Sequence, residues 1–256
     1  MDASPQLLIA AAAAALGACT PVSTTSTDRF QATGELVALS GGDAGAAYAC
    51  FSCHGTEGQG EGGFTPRLAG RDAGYLERQL IAFADGRRLH PPMAHVSTSL
   101  GADARRAVAA YYAAMPSPEV ARSPARPTAA AVRLYHAGDP ARGLAACASC
   151  HGENGEGSGA ANPPLAGQPP AYLAAQLDKW RRSERRNDPG DVMLHVSQLL
   201  APPEGAALAA YAAALPGGPP SPESPAASLA ARRDDPRSGA SGPPLHVPES
   251  ARAAAR

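Results

Sequence analysis

The chain has 256 residues, with 22 basic and 23 acidic side chains and a formal charge of −1. That balance excludes a binder of nucleic acid or of another polyanion, which needs a basic excess. Apolar residues make up 44% of the chain but aromatics only 5%, so bulky core side chains are scarce, and small domains built from them need a cofactor, a metal or disulfides to hold together.

The first element is an uncharged apolar run from Leu7 to Leu16, too short to span a membrane and of the length of a signal-peptide core. Residues 1–19 are therefore read as an export signal, although the leading segment carries Asp2 and no lysine or arginine. Leu16-Gly17-Ala18-Cys19 resembles a bacterial lipobox, which would make Cys19 an acylated N-terminus and place the protein in the periplasm, anchored through a lipid. The Ser/Thr-rich stretch Thr20 to Thr27 opens a flexible tether assigned to residues 20–39.

From there the chain repeats itself. An offset of 97 relates Cys50, Cys53 and His54 to Cys147, Cys150 and His151, Leu68-Ala69-Gly70 to Leu165-Ala166-Gly167, Tyr75 to Tyr172 and Gln79 to Gln176. It becomes 100 for Met93 and Met193, His95 and His195, Tyr111 and Tyr211, and Pro116 and Pro216, so three residues are inserted between Gln176 and Met193. Two domains follow, at residues 40–116 and 129–217, joined by a proline-rich linker at 117–128. The tail from 218 to 256 lacks apolar periodicity and is read as disordered.

Each copy reads as helical. Helices are expected over about 41–53 and 139–150, followed by Gly-rich loops, then by amphipathic helices in AGYLERQLIAFADG and PAYLAAQLDKWRRS. Closing helices fall in ADARRAVAAYYAAM and PEGAALAAYAAAL, each stopped by proline. Neither copy contains an alternating strand run, so the fold class is all-α.

Four of the five cysteines stand in two copies of CxxCH, Cys50 to His54 and Cys147 to His151. On one helical turn the two thiols and the imidazole project to the same side, which is what covalent attachment of a haem through two thioethers and a proximal histidine requires. A zinc site of four thiolates needs CxxC pairs about 15 to 20 residues apart, whereas these stand 97 apart. A disulfide, like zinc, leaves both histidines unused. Two haem c groups are therefore expected, bound at Cys50, Cys53, Cys147 and Cys150, with iron on His54 and His151. Met93 and Met193, at equivalent places 39 and 42 residues beyond those histidines, are the preferred distal ligands, since thioether ligation is an established haem arrangement and would raise the iron's potential. His95 and His195, and in the first copy His90, remain competing ligands. Tyr75, Gln79, Tyr172 and Gln176 either bond haem propionates or complete a helix face. Arg88 and Arg185 either pair with propionates or lie solvated on the surface.

These motifs resemble the dihaem class I cytochromes of the cytochrome c-four type. The likeness is carried by CHG, by Leu165-Ala166-Gly167-Gln168, and by Tyr172 with Gln176-Leu177, and it spans roughly Ser40 to Pro216. Arg71 stands where the pattern has glutamine. The resemblance implies two tandem cytochrome c domains about a pseudo-twofold axis, with methionine ligation at Met93 and Met193. It also implies a one-electron carrier between a quinol-oxidising complex or dehydrogenase and a terminal oxidase. A cytochrome subunit of a membrane-associated dehydrogenase, and a dihaem peroxidase or thiosulfate-oxidising enzyme, are the alternative expectations.

Overall fold

A computed structural model of the chain describes residues 26–117 and 127–218. The signal segment, Cys19, most of the linker and nearly all of the tail lie outside the described residues. Among those described the fold is all-α, with only isolated β-bridges besides the helices. The first unit contains α1 (Ser26–Ser40), α2 (Phe51–His54), α3 (Ala73–Ala84), α4 (Pro91–Ser99) and α5 (Ala102–Ala114). The second contains α6 (Ala129–Ala137), α7 (Ala148–His151), α8 (Pro170–Arg181), α9 (Val192–Leu199) and α10 (Pro202–Ala213).

Two expectations need correction. The tether assigned to residues 20–39 becomes helical at Ser26, and α1 packs across α5 with Val37 and Ala38 buried, so the first domain begins well before residue 40. The crossing is close. A Cβ on Gly34 would stand 2.2 Å from the carbonyl oxygen of Ala107, so only glycine lets the two backbones approach this far. The lead-ins at 41–53 and 139–150 are mostly tight turns, with 3₁₀ segments at Gly42–Ala44, Ala46–Tyr48 and Pro140–Arg142.

Each unit has its own core. Leu76, Val96, Leu100, Val108 and Tyr112 meet in the first, and Leu134, Tyr135, Leu173, Leu200 and Leu208 in the second. Burying each such side chain is worth about 1.5–3 kcal/mol. The expected amphipathic helices form as α3 and α8. Asp72 caps α3 by accepting the Tyr75 N–H at 2.7 Å, and α8 starts at Pro170, whose missing N–H has no partner to lose at a helix start.

The two units meet at Arg88 and Arg185, which form an antiparallel bridge. Leu89 N–H donates to the Glu184 carbonyl at 2.9 Å and Arg186 N–H to the Arg87 carbonyl at 2.7 Å. Each bond is the other's counterpart at offset 97, so a pseudo-twofold axis runs between the two arginines. Because Arg88 and Arg185 also keep that offset, the three inserted residues lie between Arg185 and Met193. They are absorbed by the turn Pro189–Asp191, where Gly190 and Asp191 take φ of 66° and 54°.

Candidate functional site

The single turns α2 and α7 start just after the first cysteine of each motif and stop at Gly55 and Gly152, whose φ of 79° and 82° no ordinary residue adopts cheaply. His54 Nδ1 lies 2.9 Å from the carbonyl oxygen of Pro66, and His151 Nδ1 lies 2.9 Å from that of Pro163. A carbonyl can only accept, so the proton sits on Nδ1 and Nε2 keeps a free lone pair. Burial moves both imidazoles below their ordinary value, which favours the neutral ring. The Cys50 and Cys147 thiols are each pushed up to about 11, chiefly by desolvation. All four thiols are free. Cys50 packs against the first core and Cys147 against the second, so the two motifs are not gathered into one four-sulfur site.

In the first unit these groups line a cavity of about 300 Å³. Met93 and His90 share its lining, Leu76, Val96 and Leu100 form apolar wall, and Leu165, Tyr172 and Leu173 close it from the second unit. Met93 and Met193 are both half-buried, each in the first turn of its helix. Different devices fix them. The Met193 N–H donates to Asp188 Oδ2 at 2.7 Å while Asp188 Oδ1 accepts Trp180 Nε1 at 2.7 Å. The Met93 N–H instead donates to His90 Nδ1 at 3.4 Å, which uses that imidazole as a helix cap. His95 and His195 are exposed, and the His95 ring packs on Tyr48 with centroids 4.4 Å apart.

Arg88 and Arg185 are not surface charges: only 6% and 3% of their area is exposed. Arg88 donates to Gln79 Oε1 at 2.9 Å, Gln176 Oε1 at 2.8 Å and the Tyr172 hydroxyl at 2.9 Å. Arg185 repeats the pattern, donating to Gln176 at 3.0 Å, Gln79 at 3.1 Å and the Tyr75 hydroxyl at 3.4 Å. Trp180 and Phe83 lie under the two guanidiniums, 3.8 Å and 4.5 Å from ring centroid to carbon. Tyr75, Gln79, Tyr172 and Gln176 therefore tie the two units together rather than merely completing a helix face. Sequence spacing contained the clue, since both arginines obey the 97-residue offset.

These residues fit a haem. Buried charge needs a counter-charge, yet Arg88 and Arg185 bond only neutral oxygens in these contacts, and Arg71, 6% exposed on the cavity wall, has a buried Nε with no partner. A group carrying two carboxylates and an apolar ring, held by thioethers beside an imidazole, answers the cations, the apolar wall and the CxxCH motif together.

Known proteins agree with this geometry. Residues 135–211 match the family model described as cytochrome c, and residues 38–111 match that of the cbb3-type cytochrome c oxidase subunit III. The chain is 43% identical to a thiosulfate dehydrogenase electron acceptor of Stutzerimonas stutzeri strain A1501, over 70% of this chain and 85% of that protein. It is 33% identical to cytochrome c4 of Pseudomonas aeruginosa, over 68% of this chain and 90% of the other. Among solved structures, reduced cytochrome c4 from Pseudomonas stutzeri superposes with a TM-score of 0.62 at 29% identity, covering 72% of this chain and 97% of that one. Thiosulfate dehydrogenase (TsdBA) from Marichromatium purpuratum gives a TM-score of 0.66 at 39% identity, covering 81% of this chain but only 49% of that larger chain. Duplicated motif, paired cavity residues and pseudo-twofold architecture thus have one reading: the chain belongs to the family of dihaem c-type electron carriers that includes cytochrome c4 and the electron acceptors of thiosulfate dehydrogenase, with two covalently bound haem c groups.

Proposed function

We propose that the protein works in the periplasm, held there by a lipid on Cys19, and takes electrons singly from a dehydrogenase to deliver them toward a terminal oxidase. Cys50 and Cys53 hold one haem and Cys147 and Cys150 the other, His54 and His151 are the proximal ligands, and Met93 and Met193 the distal ones. When bound, the iron supplies a reversible ferric–ferrous couple. The Pro66 and Pro163 carbonyls fix each imidazole in the tautomer that offers Nε2. Arg88, on the cavity lining, would offer its guanidinium to the first haem's carboxylates, Arg185 stands at the equivalent place in the second unit, and the apolar wall would keep water from the ring.

One observation carries the ligand assignment. Both units pair a carbonyl-anchored histidine, buried at His54 and half-buried at His151, with a half-buried methionine at an equivalent position, while the rival His95 and His195 are exposed. A ferric spectrum of the matured protein is expected to show the weak thioether-to-iron band, and pyridine treatment two haems per chain that acidified acetone does not extract. Met93→Ala should halve that band and lower one of the two potentials by on the order of 0.1 V, leaving the other in place. An unchanged band would reject Met93 as a ligand.

A second reading, a stable subunit of a thiosulfate dehydrogenase, is favoured by the Marichromatium protein, of which a segment like this chain is about half. Co-purification with thiosulfate-oxidising activity distinguishes it from a free shuttle.

A further inference from the structure

The two units share a fold but not a surface. Of the eight large hydrophobic side chains exposed among the described residues, seven belong to the first unit and only Val192 to the second. Three of the seven are aromatic and fall within residues 42–65, the stretch that carries the first CxxCH: Tyr48 is 42% exposed, Phe51 36% and Phe64 74%. Tyr48 and Phe64 line the cavity together with Cys50 and Cys53, and Phe51 sits between those cysteines. At the 97-residue offset all three become alanine, at Ala145, Ala148 and Ala161. The second unit forms the equivalent CxxCH turn and bridged loop with alanine at these places, so those two features do not demand the rings of Phe51 and Phe64. Aromatic area left in water beside a binding cavity marks a contact surface.

Charge divides the units in the same way. Residues 42–65 contain Asp43, Glu57 and Glu61, all exposed, and no lysine or arginine. None of these carboxylates is in an ion pair among the described residues. In the matching stretch, 139–162, Asp139 is paired with Arg142, which also holds Glu204, and Glu153 is paired with His136. Among the described residues the first unit thus leaves the carboxylates of this stretch unpaired, while the second uses Asp139 and Glu153 internally.

We infer that the stretch 42–65 beside the first cavity, with Tyr48, Phe51 and Phe64 exposed and Asp43, Glu57 and Glu61 unpaired, is the docking face for a redox protein whose electron-exchange edge is apolar and ringed by lysine or arginine. This rests on the electron-carrier reading above and adds that exchange with that partner runs through the first haem. The carboxylates steer the approach and the rings supply the contact. A second copy of this chain is a poor occupant, because the same face would set three carboxylates against three.

The test uses the full haem-loaded protein, after pyridine haemochrome assay has confirmed two haems per chain. That assay examines the carrier reading separately. The probe is a lysine-rich monohaem cytochrome c, with its lysine-succinylated form as the probe of opposite sign. Stopped-flow electron exchange should be fast with the lysine-rich probe, fall with added salt, and be at least tenfold slower with the succinylated one. The combined variant Asp43→Asn, Glu57→Gln, Glu61→Gln should react about tenfold more slowly at low salt and lose most of its salt dependence, with its spectrum and the second haem's potential unchanged and the first haem's potential moved only upward. The variant Phe51→Ala, Phe64→Ala should also slow, by about tenfold, but keep the salt slope. Amide NMR shifts on adding redox-inactive, zinc-substituted probe should fall within residues 42–65 rather than 139–162. Wild-type rates in the carboxamide variant, faster reaction with the succinylated probe, or shifts centred on 139–162 would each overturn the proposal. So would sedimentation as a dimer that the carboxamide or phenylalanine changes dissolve, since a second copy would then cover the face.

Discussion

At position 71 the first unit carries arginine where the second carries Gln168. Gln168 makes two bonds across the domain boundary, accepting the Arg67 N–H at 2.9 Å and donating to the Arg67 carbonyl at 2.9 Å. Arg71 makes the equivalent reach to the Pro164 carbonyl at 3.4 Å, leaves its Nε unpartnered, and has its pKa lowered first by burial. A fixed cation on the cavity wall disfavours the ferric state, which carries one more positive charge. Arg71→Gln should therefore lower the first haem's potential, by on the order of tens of millivolts, and leave the second nearly where it was. Spectroelectrochemical titration reads both. At this scale the cysteines and their adjoining histidines were legible because haem attachment fixes their spacing, and Met93 and Met193 were legible only through the repeat. It showed Arg71 as a departure from a pattern, but not its burial, which neighbours some 90 residues away create.

Among the helices, α1 was the least legible. Its segment overlaps a Ser/Thr-rich run and sets only Phe30, Leu36, Val37 and Leu39 as large apolar residues beside the charged Asp28, Arg29 and Glu35. It is held by packing on α5 rather than by intrinsic preference, and single-sequence periodicity does not report a partner helix. The Gly34 contact makes this dependence measurable. Gly34→Ala would gain helix propensity of nearly 1 kcal/mol, yet it forces a methyl against the Ala107 carbonyl. The clash should win, with a net loss of about 1–3 kcal/mol in denaturant unfolding of the first unit. The corresponding residue of the second unit is Ala131, buried at 2%, so that crossing already admits the methyl. By contrast α3, α5, α8 and α10 were legible within a few residues, since an apolar stripe and a proline stop are local signals.

The relation between the units was legible as a repeat but not as an interface, because an offset says which residues correspond and not which faces meet. Gln79 and Gln176 are where the faces are secured. Gln79 Oε1 alone accepts from Arg88 at 2.9 Å, Arg185 at 3.1 Å and Asn187 at 2.7 Å. Gln79→Leu strips these donors of a shared acceptor and should cost about 1–3 kcal/mol. Gln176→Leu should do the same, and the two changes should be non-additive by at least about 0.5 kcal/mol in a double-mutant cycle, because they serve the same two guanidiniums. Additive losses would show that the amides act independently. The bridge between Arg88 and Arg185 has a further meaning. A residue that meets its own counterpart across a dyad is the mark of an isologous contact between identical subunits. The molecule is thus built like a homodimer whose halves share one polypeptide, and that covalent union lets the halves differ, one bearing exposed aromatic rings where the other has alanine.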